Sequence, residues 1–160
     1  MTHLVEVEGL SLSFRTGERW TKILHDVSFH IERGEVLGLV GESGCGKSTV
    51  GLTLLGYLHN NARIEKGRVR FKGDDLLRLA RPALDRLRGN RIGFVPQNPT
   101  TALNPSMRIG EQIAETLYLH QPPPDQTQPA RAQELLELVS LPSTADFARR
   151  YPHQLSGGQQ

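Results

Sequence analysis

Gly41-Glu42-Ser43-Gly44-Cys45-Gly46-Lys47-Ser48 decides the reading of this chain. The stretch fits the pattern G-x-x-x-x-G-K-[ST], a loop that cradles phosphates. Phosphate needs donors and positive charge at short range. Glycines let the backbone wrap closely and turn its N–H groups inward. A helix opening near Lys47 adds unpaired N–H groups and the positive end of its dipole. Lys47 is placed to reach the β- and γ-phosphates, and Ser48 to offer its hydroxyl oxygen to Mg²⁺. Glu42, Ser43, Cys45 and Thr49 complete the loop. A Gly-rich turn without a ligand is the alternative, and context opposes it. An apolar run, Val36-Leu37-Gly38-Leu39-Val40, precedes the loop and reads as a buried parallel strand. A helix is expected from about Lys47 to Leu58. Cys45 reads first as a small residue that fits the loop. A sharper reading is a thiolate favoured by the helix terminus and Lys47, which would make nucleotide binding sensitive to thiol reagents.

Upstream, Leu4 to Phe14 alternates weakly and reads as a strand broken by Gly9, and Ile23 to Ile31 as a second strand. Downstream, Arg68 to Phe71 is a short strand, Pro82 to Arg88 a short helix, and Arg91 to Val95 a strand stopped by Pro96. Beyond Pro96 the spacing turns helical. Ile109, Ile113 and Leu117 form one stripe, ended by Pro122-Pro123-Pro124. Ala132, Leu135, Leu136 and Val139 form a second, and Ala145 to Tyr151 a short third helix. Residues 1–96 therefore read as an α/β nucleotide-binding core, and 97–160 as a helical subdomain.

The 160 residues suffice for one domain. A net charge of +2, from 19 Lys and Arg against 17 Asp and Glu, gives little field for nucleic acid, so no nucleic-acid partner is expected. One cysteine excludes an intrachain disulfide. The first residues lack the pattern of a signal peptide, and no stretch approaches the roughly 20 apolar residues of a membrane span. A soluble chain is expected, with any membrane role reached through a partner. The six histidines show no metal-ligand pattern.

GTPases, kinases, helicases and transporters share such loops. Leu155-Ser156-Gly157-Gly158-Gln159 discriminates among them, because it resembles the signature motif of ATP-binding cassette (ABC) ATPases. Two glycines and a serine at a helix start form a second anion site. The resemblance implies that Ser156, Gly157, Gly158 and Gln159 complete the ATP pocket of an opposite subunit in a head-to-tail dimer. Val95-Pro96-Gln97 resembles the family's Q-loop, which implies that Gln97 contacts Mg²⁺ or the attacking water. Phe14 resembles the aromatic residue that stacks on adenine, with Trp20 as its rival. The segments Gln97 to Pro105 and Tyr151 to Gln159 are similar to dipeptide, oligopeptide and nickel importer ATPases.

The implied fold is α/β, a P-loop NTPase (RecA-like) core with an antiparallel β subdomain and a helical insertion. The ABC nucleotide-binding domain is expected to be incomplete within residues 1–160. The implied cofactors are ATP and Mg²⁺. The implied partners are a second ABC ATPase subunit, transmembrane permeases and, indirectly, a solute-binding protein, at the cytoplasmic face of the inner membrane. In the family, an apolar strand ending in Asp-Glu and a switch histidine follow the signature. No element here matches them: Asp74-Asp75 follows a half-polar strand. Poor stability and no hydrolysis are therefore expected of residues 1–160 alone. A soluble ABC protein acting on DNA or ribosomes, or a remnant that only binds nucleotide, are the competing readings.

Overall fold

Val7, Leu10 and Leu12 are buried along β1 (Val5–Thr16) and build the core of an antiparallel sheet. The structure, a computed structural model, describes residues 3–98, 101–120 and 128–160. It comprises two compact units, Met1–Arg88 and Gly89–Gln160. In the first, β1 pairs with β2 (Arg19–Ile31) through a tight hairpin in which Thr16 faces Arg19. Gly17 supplies the positive φ, +63°, that such a turn requires. β1 also pairs with β3 (Ala62–Phe71), which pairs with β4 (Asp74–Asp75), giving the order β2-β1-β3-β4.

Gly9 does not break the first strand as expected. It sits at a register shift between Val7 and Leu10, so the strand bulges and continues. Gly67 makes this possible from the neighbouring strand. A Cβ there would lie 2.5 Å from Leu10 Cα, so only glycine allows the two backbones to approach.

α1 (Lys47–Leu54) buries Val50 and Thr53. It ends four residues short of the expected Leu58. Gly56 takes a left-handed φ of +63°, its N–H donates to Thr53 O at 2.9 Å, and Tyr57 N–H donates to Leu52 O at 3.0 Å. That is a glycine-terminated helix end. Arg88, just past α2 (Arg81–Leu87), donates to the part-buried carbonyls of Leu55 and Gly56, at 2.9 Å each.

Two expected strands do not form. Val36–Val40 joins no ladder among the described residues, and Val36 and Val40 are 94% and 98% exposed. Arg91–Val95 forms no strand: Ile92 makes an isolated bridge, its carbonyl accepting the Gly89 N–H at 2.9 Å, and Val95 is 92% exposed. Apolar runs acquire strand geometry from a ladder of hydrogen-bonded neighbours, and among the described residues neither run has one.

The second unit is helical: α3 (Ile109–His120), α4 (Gln128–Leu138) and the short α5 (Ala145–Ala148). Ile109, Leu136, Phe147 and Leu155 form its buried cluster, with Leu103, Ile113 and Leu141 packed against it. Burying each such side chain contributes roughly 1.5–3 kcal/mol. α5 starts at Thr144, whose hydroxyl oxygen accepts the Phe147 N–H at 3.3 Å. α3 and α5 approach closely at Gly110, where a Cβ would meet Ala148 Cβ at 3.0 Å. Pro122-Pro123-Pro124, expected to end a helix, lies outside the described residues.

Candidate nucleotide site

The loop Gly41–Ser48 owes its shape to three glycines. Gly44 and Gly46 take φ of +83° and +99°, where side-chain-bearing residues are strained. A Cβ on Gly46 would also stand 2.7 Å from Leu24 Cδ2, so the loop seats directly on β2. A Cβ on Gly41 would stand 2.8 Å from Cys45 Sγ. The thiol therefore fills the space inside the loop that a small residue at position 41 leaves.

Lys47 folds back over this loop. Its Nζ donates to Gly41 O at 2.8 Å and Glu42 O at 2.7 Å, with Cys45 Sγ at 3.6 Å. The loop thus closes around one ammonium group. Gly46 is the N-cap of α1 and offers no side-chain acceptor, and the first turn carries no acidic residue. The first N–H groups of a helix have no intrahelical partner. At this end, nothing on the helix itself neutralises them. An ammonium group and uncapped backbone donors together suit a polyphosphate. Ser48 is exposed in the first turn of α1, with Thr49 partly buried beside it. A hydroxyl oxygen in that position suits a hard divalent cation such as Mg²⁺.

Phe14 and Trp20 fall on opposite faces of the sheet. Phe14 pairs with Thr21 and Ala62, while Trp20 pairs with Arg15, one residue along β1. Neighbouring residues on a strand point to opposite faces. Phe14 lines a small cavity of about 60 Å³ with Thr49, Thr53, Tyr57 and His59, so it shares the α1 side of the sheet. Trp20 is 40% exposed, and the Arg63 guanidinium lies over its ring at 4.2 Å. That contact follows from the alternation of β3, yet no spacing in the sequence announces it.

Gln97 lies in the second unit, exposed just after Pro96. The segment after it is tied down at Asn104: Gln112 Oε1 accepts the Asn104 N–H at 2.9 Å, and Gln112 Nε2 donates to Asn104 O at 3.0 Å. Pro99 and Thr100 of this segment lie outside the described residues.

The second candidate anion site begins at Ser156. The Ser156 N–H donates to Gln159 Oε1 at 3.1 Å, and the Gln159 N–H donates to Ser156 O at 2.9 Å. Gln159 therefore closes the turn on itself, half of a capping box. Gly157 and Gly158 face open space: an added Cβ would meet nothing within 4 Å at either. Leu155, buried in the helical core, anchors the turn from behind. The preceding turn repeats the pattern, with Tyr151 N–H donating to Gln154 Oε1 at 2.9 Å.

Comparisons with known proteins bear on the fold and the family. The family model described as ABC transporter matches residues 24–160. The chain is 41% identical to the dipeptide transport ATP-binding protein DppD of Lactococcus lactis, over 98% of this chain and 45% of that protein. It is 37% identical to the oligopeptide transport ATP-binding protein OppD of Bacillus subtilis, over 100% of this chain and 45% of that one. The chain spans about half the length of these curated relatives. Among solved structures, an ATP-binding cassette captured as a dimer in a post-hydrolysis state with ADP and Pi superposes with a TM-score of 0.79. It is 29% identical, over 97% of this chain and 64% of that one. The fold is accordingly that of an ABC cassette with its antiparallel sheet and helices. With the family model spanning residues 24–160, the chain belongs to the ABC transporter family.

Proposed function

We propose that this chain carries nucleotide-binding machinery of the ATPase subunit of an importer for peptides or similar solutes. The observation that carries the reading is the closed loop around Lys47 at the uncapped start of α1. Gly41 to Gly46 would present backbone N–H groups to the phosphates, Lys47 its charge, and Ser48 a ligand for Mg²⁺. The metal, when bound, would neutralise phosphate charge and hold it in one orientation. Phe14, on the α1 side of the sheet, is the better placed of the two aromatics to stack on adenine. Gln97 would assist metal and water positioning. Ser156, Gly157, Gly158 and Gln159 would close over the nucleotide of a second ATPase subunit.

Residues 1–96 form the first part of the nucleotide core in this reading, and 97–160 the helical part that engages permeases at the cytoplasmic face of the membrane. No described helix is long and apolar enough to cross a membrane, so the membrane contact would run through those partners. Peptide-type import is supported by the transport functions that the two relatives are named for. In the intact protein, ATP hydrolysis would drive transport. Residues 1–160 alone would bind nucleotide without steady turnover, because they offer no carboxylate at the end of an apolar strand to orient the attacking water.

Equilibrium titration with ATP-Mg tests the reading. Charge-assisted hydrogen bonds contribute about 1.5–3 kcal/mol each, so Lys47→Ala should weaken binding at least about tenfold with the fold unchanged. Equal affinity in the parent and the variant would remove the central support.

A further inference from the structure

We propose that His3, His30 and Glu32 form a binding site for one divalent metal ion of the zinc class, separate from the nucleotide loop. One ligand atom from each residue lies within 4.8 Å of the other two. The His3 and His30 rings stack at 4.2 Å between centroids, inclined by 30°. His3 Nδ1 already contacts the Glu32 carboxylate. Two imidazoles and one carboxylate suit ions of borderline softness rather than Mg²⁺, which prefers oxygen ligands and retains its waters. Three protein ligands leave a fourth tetrahedral position for water.

The backbone holds these residues together. The Leu4 N–H donates to Ile31 O at 2.9 Å and Glu6 pairs with His30, so the segment bearing His3 is pinned to the strand end bearing His30. Glu32 opens a tight turn: its N–H donates to Glu35 Oε2 at 2.6 Å, and the Glu35 N–H donates to Glu32 O at 3.3 Å. The three ligands therefore come from the segment leading into β1, the end of β2 and one closed turn. Glu35 adds a second carboxylate beside the site. Nothing in the sequence spacing reveals the cluster, because His3 and His30 meet only through the β1–β2 register.

Isothermal titration of the untagged full chain with zinc chloride, in a non-chelating buffer, tests the site. One equivalent should bind. His30→Ala and Glu32→Gln should each weaken binding at least about tenfold, the scale on which even supporting residues act. His153→Ala, a histidine in the other unit, should leave it unchanged. Histidine ring NMR of the parent gives a readout that needs no variant: the signals of His3 and His30 should shift together at one equivalent, and that of His153 should stay. Absence of saturable binding, binding that survives both substitutions, or ring shifts that spare His3 and His30 would each overturn the proposal. ATP-Mg affinity measured alongside keeps this result distinct from the nucleotide reading.

Discussion

The side-chain oxygen of Gln159 accepts the backbone N–H of Ser156 at 3.1 Å, so the last residue of the signature turn fastens the first. The two glycines between them are left open to solvent, with nothing near the positions of their missing side chains. A rigid frame around a bare backbone is what close approach by an anion requires.

Removing that clasp should loosen the turn. Gln159→Ala loses one exposed hydrogen bond, at a cost of about 0.5–1.5 kcal/mol. Gln159→Glu should retain most of it, since glutamate fills the same role in a capping box. Urea unfolding followed by circular dichroism compares the two. Equal losses in both variants would show that the clasp contributes nothing.

Gly46 is the more sensitive position. Its φ of +99° strains any side-chain-bearing residue, and a Cβ 2.7 Å from Leu24 Cδ2 would force that side chain to shift. Gly46→Ala should destabilise the first unit by about 1–3 kcal/mol through backbone strain alone. ATP-Mg binding should fall with it, because the loop can no longer seat on β2. A variant as stable as the parent in thermal melts would contradict this account of the loop.

Cys45 is exposed and packs against Gly41. Alkylation would put bulk where the loop closes around Lys47. N-ethylmaleimide treatment should reduce ATP-Mg affinity at least about tenfold, the loss expected when charge-assisted contacts are displaced. Cys45→Ala should bind normally and resist the reagent. Unchanged affinity after complete alkylation, checked by mass spectrometry, would refute it.

Glu65 should give stability a distinct acid dependence. The Lys22 ammonium that hydrogen-bonds its carboxylate, joined by the Ser13 hydroxyl, lowers its pKa from 4.5 to about 2. A carboxylate depressed by folding stabilises the native state above its unfolded pKa, and this is lost as pH falls through the folded value. Glu65→Gln should therefore melt below the parent at neutral pH. The gap should close between pH 4.5 and about 2. A gap that stayed constant over that window would sink the assignment.

Much of the site is legible in the order of residues alone. The loop Gly41–Ser48 is readable as a candidate because its pattern sets particular residue types at fixed local spacing, and Leu155–Gln159 is readable through its resemblance to the ABC signature. The helical stripe through Ile109 and Ile113 is equally local, and both residues pack on the second unit's core. The run Val36–Val40 is a different case. Its apolar composition signals a strand, but a parallel strand exists only with hydrogen-bonded neighbours, and none is described beside it.

Phe14 and Trp20 look alike as aromatic residues near one hairpin, and the sequence alone leaves them rivals. Strand register separates them, placing Phe14 on the side of α1 and Trp20 under Arg63. His3 and His30 are likewise unrelated along the chain and become neighbours only across β1 and β2. The sequence by itself determined the candidate phosphate loop, the signature-like turn and the helix stripes, because those rest on contacts a few residues apart. Only the tertiary structure decided which face each aromatic takes and which histidines meet, because register acts between residues far apart in the chain.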